Sequence, residues 1–132
     1  MNDLFRYDTA AIIHICKNFE RFVTFKSCTK SILHGDTHSL ITDIGTVVLQ
    51  VNTVIRTKSV KLNDIAYVSG FHFNLISVSE LENLGYCMNG INKRLVNQKG
   101  HIIAFLYLLN DMYSMENPAT HDLAMAAVKS TV

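Results

Sequence analysis

The chain has 132 residues, of which 48% are hydrophobic and 17% charged, with a formal net charge of +1. This is enough apolar material for one compact core and too little charge for a disordered chain. No basic block is present to make an electrostatic footprint for nucleic acid, and the longest apolar runs, such as Ile102 to Leu109, are too short to span a bilayer.

In chain order, Leu4 to Tyr7 is short, apolar and aromatic, a strand leading into Asp8. Ile15, Phe19 and Phe22 stand at helical spacing, which predicts a short helix near Ile15 to Phe22. Ser31 to His34 reads as strand, and Gly35-Asp36-Thr37 as a turn. His38 to Ile44 and Thr46 to Asn52 are strand-forming runs broken at Gly45, which marks a bulge or a close backbone approach. Val54 to Leu62 and Ile65 to Val68 continue the strands. Ser77-Val78-Ser79-Glu80 is a capping box, in which the serine hydroxyl accepts from a free N–H and the glutamate reaches back. It predicts a helix at about Val78 to Leu84, stopped by Gly85. Tyr86 to Ile91, Arg94 to Asn97 and His101 to Leu108 are closing strands, and Thr120 to Lys129 is an Ala-rich stretch compatible with a short helix. Many short strands with turn signals predict a mostly β domain at 1–112, a small closed or partly open barrel with one or two short helices, followed by a tail at 113–132.

The clearest chemical candidate is Asp8-Thr9-Ala10-Ala11, a carboxylate at a strand end in a turn of small residues. Aspartic proteases set two such carboxylates side by side. Like charges that close cannot both ionise, so one activates a water while the other donates a proton to the peptide carbonyl. A chain of this length supplies one half-site, and a symmetric homodimer would supply the other. An Asp that merely starts a turn or caps a helix gives the same tetrapeptide.

The neighbouring residues add weight. Asp8 to Cys16 (DTAAIIHIC) resembles the Asp-Ser/Thr-Gly-Ala start and the following His-Ile-Cys-like segment of Copia-type retrotransposon polyproteins. Phe22 matches that family's usual aromatic, and Ile44-Gly45-Thr46-Val47 is similar to its Gly-x-Gly-Thr-Val strand. The segment Leu62 to Val78 (LNDIAYVSGFHFNLISV) resembles its L-x-D-V-L-Y-V-P-G-x-x-x-N-L-L-S-V signature. Leu81, Gly85, Gly100 and Leu106 to Leu109 continue the match in order, so the resemblance covers roughly residues 4 to 115. It implies a retropepsin-like barrel in the protease position of a Pol polyprotein, a homodimeric endopeptidase that cuts its own precursor. Asp8 would be the catalytic aspartate, Thr9 the residue bracing the two active-site loops across the dimer, and the Asp36 to Ile44 hairpin a substrate-covering flap.

Three positions depart from the family pattern: Ala10 and Asp43 stand where it has glycine, and Ser69 where it has proline. A methyl at position 10 strains the loop if its dihedrals need glycine. The resemblance with these departures implies weakened or lost hydrolysis. The alternatives are an inactive β module for dimerisation or peptide binding, or a relic without function.

Three scattered cysteines, Cys16, Cys28 and Cys87, make no disulfide framework, and the first residues lack a secretory pattern, so a reducing, cytoplasmic compartment is expected. His14, Cys16, Cys28 and His34 contain zinc-ligand types but no paired C-x-x-C, and read as small buried hydrophobes and polar edges. There is no phosphate loop and no G-x-S-x-G elbow, so no cofactor or metal is expected. Asp64 and Asn74 read as turn and loop partners. The expected partners are a second copy and polyprotein peptide segments, without membrane or nucleic acid.

Overall fold

The computed structural model describes residues 3–109 and 111–116. Its first strands are β1 (Phe5–Asp8), β2 (Ile15–Cys16), β3 (Phe22–His34), β4 (Thr37–Asn52), β5 (Thr57–Tyr67) and β6 (Asn74–Ser77). Helix α1 (Val78–Asn83) follows, then β7 (Cys87–Asn89), β8 (Arg94–Val96), β9 (Ile102–Phe105), β10 (Tyr107–Leu109) and β11 (Met112–Ser114). The first six strands form one sheet in the order β1-β6-β2-β5-β4-β3, β7-β8-β9 form a second, and β10-β11 a third. Among the described residues none of the three closes on itself, so the fold is mostly β and a closed barrel is not confirmed. Among the described residues, no helix is long and apolar enough to cross a membrane.

The helix expected at Ile15 to Phe22 is absent. Ile15 and Cys16 form a two-residue strand, a single 3₁₀ turn spans Phe19–Arg21, and β3 begins at Phe22. The physical reason is tertiary. β2 is wedged between β5, which it parallels, and β6, which it opposes, so its backbone groups are taken by neighbours distant in sequence. The apolar residues at helical spacing serve different masses. Ile15 enters a small core with Ile41, Ala66, Val68 and Leu75, whereas Phe19 and Phe22 pack edge-on or tilted against Tyr67 and each other.

Consecutive residues feed opposite faces of the sheet, as strand geometry requires. Cys16, Ile65 and Ile76 belong to the main core with Phe5, Leu49 and Leu95, while their chain neighbours Ile15, Ala66 and Leu75 belong to the smaller one. The centre of the sheet is therefore covered on both sides, which explains why all four residues of Asn74 to Ser77 are buried, the apolar pair Leu75 and Ile76 facing opposite cores.

Gly45 does both things expected of it. The register shifts between Gly45 and Val47, and a Cβ at position 45 would lie 2.1 Å from the Thr24 carbonyl oxygen. Between these pairs, Thr46 faces both Asn63 and Asp64, so β5 carries the extra residue of a bulge. Asp64 takes the left-handed conformation there, with φ of 58°. It lies inside a strand and not in a turn, where the sequence had placed it.

Residues just after 112 pack against the first strand. Ser114, Met115 and Glu116 are buried, and Glu116 accepts the Phe5 N–H at 2.8 Å. The same carboxylate pairs with both terminal nitrogens of Arg21, at 2.7 and 3.3 Å. Arg21 also donates to the Asp3 carbonyl at 2.7 Å. This buried pair ties the outer edge of β1 to the turn before β3. The helix expected at Thr120 to Lys129 lies outside the described residues.

Candidate functional site

Strands β1 and β2 are neighbours in sequence but not in the sheet, because β6 lies between them. The loop joining them, residues 9–14, therefore crosses the end of β6, where α1 begins. β1 runs parallel to β6 and sets Asp8 opposite Ser77, the residue that caps α1. The chain positions Asp8 through two long-range strand pairings that no local signal reveals.

Asp8 is half-buried, and Thr9 and Ala10 are exposed. One carboxylate oxygen, Oδ1, accepts the Ala10 N–H at 2.9 Å, and the Ala11 N–H reaches the Asp8 carbonyl at 3.4 Å. The first bond holds the carboxylate to its own turn, the second closes the turn's backbone, and the turn remains at the surface. Ala10 is not among the residues with positive φ, which outside glycine are Asp64, Lys93 and Asp111. The turn thus tolerates alanine without the strain that a glycine-only conformation would impose.

Ser77 is the anchor of this loop. Its hydroxyl donates to the Ala11 carbonyl at 2.7 Å and accepts the Glu80 N–H at 3.2 Å. Its backbone N–H donates to His14 Nδ1 at 2.9 Å. In a capping box that N–H would meet the Glu80 side chain. Here His14 is inserted between the two, and its Nε2 donates to Glu80 Oε2 at 3.0 Å. The imidazole is 3% exposed, which overturns its reading as a polar edge. Burial lowers its pKa to about 4, against an opposing pull from Asp64. Burial and Asp64 together raise that of Glu80. The arrangement is a neutral imidazole that accepts at one nitrogen and donates at the other.

Asn74, at the other end of β6, is fully buried and meets the loop expectation. Its Oδ1 accepts the Lys17 N–H at 2.7 Å, and its Nδ2 donates to the Asp3 carbonyl at 2.7 Å and to Asn18 Oδ1 at 2.9 Å. Cys16 is buried and Cys28 half-buried, with thiols directed to the Asn18 and Ile41 carbonyls. Among the described residues, no group of three His, Cys, Asp or Glu side chains could hold a metal ion. Of the Phe71-His72-Phe73 trio, Phe73 lies under the Arg6 guanidinium at 4.5 Å, and Phe71 packs on the smaller core. Asp43, at the second departure, is hydrogen-bonded by Thr42 at 2.8 Å and Ser27 at 3.4 Å.

The sequence reading missed the linkage from Ser77 through His14 to Glu80. Its only signal was a capping box whose glutamate proved to have another partner. It also missed a cleft of about 490 Å³ beside that linkage, between β5, α1 and β9.

No curated protein and no solved structure matches the chain. The profile of a family described as Pol polyprotein, beta-barrel domain, matches residues 5–86, a stretch that runs from β1 through the Asp8 loop and the β3–β4–β5 meander to the end of the capped helix. With more than half of its length inside that match, the chain belongs to the Pol polyprotein beta-barrel domain family.

Proposed function

We propose that this retroelement-derived domain is the aspartic-protease-type unit of a Copia-type polyprotein, acting as a homodimer on peptide segments of that polyprotein. In this reading two Asp8 carboxylates, one per copy, share a proton. The ionised one takes a proton from water, and the protonated one donates to the carbonyl of the scissile bond. Thr9 braces the two loops, and the tip of the β3–β4 hairpin at Gly35 covers the substrate.

The observation that carries this reading is the hold on Asp8. Its Oδ1 is pinned by the Ala10 N–H while the turn around it is exposed. A carboxylate fixed in plane and open to a twin suits proton sharing. A carboxylate buried against several backbone N–H groups would not, because those bonds favour the fully ionised form. The exposed Ala10 methyl adds bulk where a second loop must approach, so turnover is expected to rise in Ala10→Gly.

The test is cleavage of a peptide library fused to the chain, compared with the same fusion carrying Asp8→Asn. Cleavage lost with that substitution, and blocked by a transition-state mimic of aspartic proteases, supports the reading. A folded, dimeric sample without Asp8-dependent cleavage leaves a module for dimerisation or peptide binding.

A further inference from the structure

The cleft of about 490 Å³ lies beside the His14–Glu80 pair. Its floor is apolar, formed by Leu62, Leu81, Leu95, Ile103 and Met115. Its rim carries the carboxylates of Asp64 and Glu80, the amides of Asn63 and Asn83, and Lys61. The carboxylates outnumber the lysine, so the rim has an excess of negative charge. Asp64 takes part in neither the His14–Glu80 hydrogen bond nor the Arg21–Glu116 ion pair formed among the described residues. Glu80 uses Oε2 to bond His14, an interaction with a neutral imidazole that leaves its charge in place.

We infer that this cleft is a peptide-binding site that takes an arginine or lysine side chain together with an adjacent apolar side chain. Charge complementarity selects the cation, which relieves the repulsion between Asp64 and Glu80. The methylene stem of a long basic side chain suits an apolar wall while its head reaches the rim. A guanidinium can bond a carboxylate through two parallel N–H groups. The space exceeds what one side chain fills and falls in the range of about 300–1,000 Å³ typical of ligand sites. The Asn63 and Asn83 amides carry both donors and acceptors, as a peptide backbone requires. The site is distinct from the Asp8 turn and stands whether or not Asp8 hydrolyses anything.

The experiment uses the full chain carrying Asp8→Asn, so that no peptide is consumed, and fluorescent hexapeptides Ala-Leu-Xaa-Leu-Ala-Ala with Xaa as Arg, Lys, Gln or Glu. Fluorescence anisotropy is expected to show the Arg peptide binding about tenfold tighter than the Gln peptide, the Glu peptide being weakest. The preference collapses in Asp64→Asn and in Glu80→Gln. It also collapses in Asn83→Arg, an exposed change that leaves the core intact and fills the rim with a fixed cation. Methyl NMR spectra should show the Arg peptide shifting Leu81, Leu95, Ile103 and Met115. Equal affinity for the Arg and Gln peptides overturns the inference. So does an Arg preference that survives both Glu80→Gln and Asn83→Arg, or methyl shifts confined to other parts of the sheet.

Discussion

Replacing His14 by asparagine tests the linkage that holds the Asp8 loop to α1. An asparagine carbonyl stands near the place of Nδ1, so the Ser77 N–H keeps an acceptor, but the bond to Glu80 and the titrating ring are lost. The wild-type imidazole is buried, with its pKa lowered from 6.5 to about 4. Between those values the unfolded chain binds a proton that the folded one refuses, so folding stability falls as pH drops through this window. A shift of that size, at 1.36 kcal/mol per unit, removes about 3 kcal/mol between pH 7 and pH 4. Glu80 acts in the opposite sense. Its pKa is raised in the fold, so it favours the folded state as pH falls, and with its side chain partly buried it offsets part of the loss. At pH 7 the variant should be less stable by about 2 kcal/mol, for the lost bond and lost ring volume. The deficit should shrink, vanish near about pH 5 and reverse by about 1 kcal/mol at pH 4, because only the wild type must charge a buried ring. Urea unfolding of both proteins at half-unit pH steps reads this directly. A stability gap that stays constant from pH 7 to pH 4 would refute the assignment of the acid sensitivity to His14.

Three further substitutions probe the frame around the loop. Gly45→Ala should destabilise by more than about 2 kcal/mol, since its Cβ would meet the backbone of Thr24 and Phe25 as well as the Phe22 ring; a thermal melt within a degree or two of wild type would contradict the close approach. Arg21→Met removes the Arg21 cation from the buried Glu116 carboxylate and should cost about 3–5 kcal/mol, with a double change to Arg21→Met and Glu116→Gln recovering part of it in urea titrations. Asn74→Leu removes three hydrogen bonds that join β6 to both flanking segments, at a cost of about 2–4 kcal/mol, and hydrogen exchange should show the Lys17 amide losing protection first.

Much of the fold was legible because it is written locally. The Ser77 cap, the Gly85 stop at φ of 91°, the Gly35 turn and the Gly45 break each follow from the dihedral freedom or hydrogen-bonding reach of one residue. The β runs follow from branched and aromatic side chains. The error at Ile15 to Phe22 arose where a helical spacing of apolar residues served two separate packing environments, a coincidence that periodicity alone cannot detect.

The sequence alone determined a single mostly β domain with one capped helix, and it placed Asp8 at the end of a strand, because patterning and caps act within a few residues. Which strands became neighbours was a tertiary decision. The insertion of β6 between β1 and β2 brought Ser77 to Asp8 and His14 to Glu80. The burial of Glu116 against Phe5 and Arg21 joined the segment after β11 to the first strand. Those contacts join residues far apart along the chain, and they exist because buried polar groups must find partners wherever the packed backbone brings one within reach.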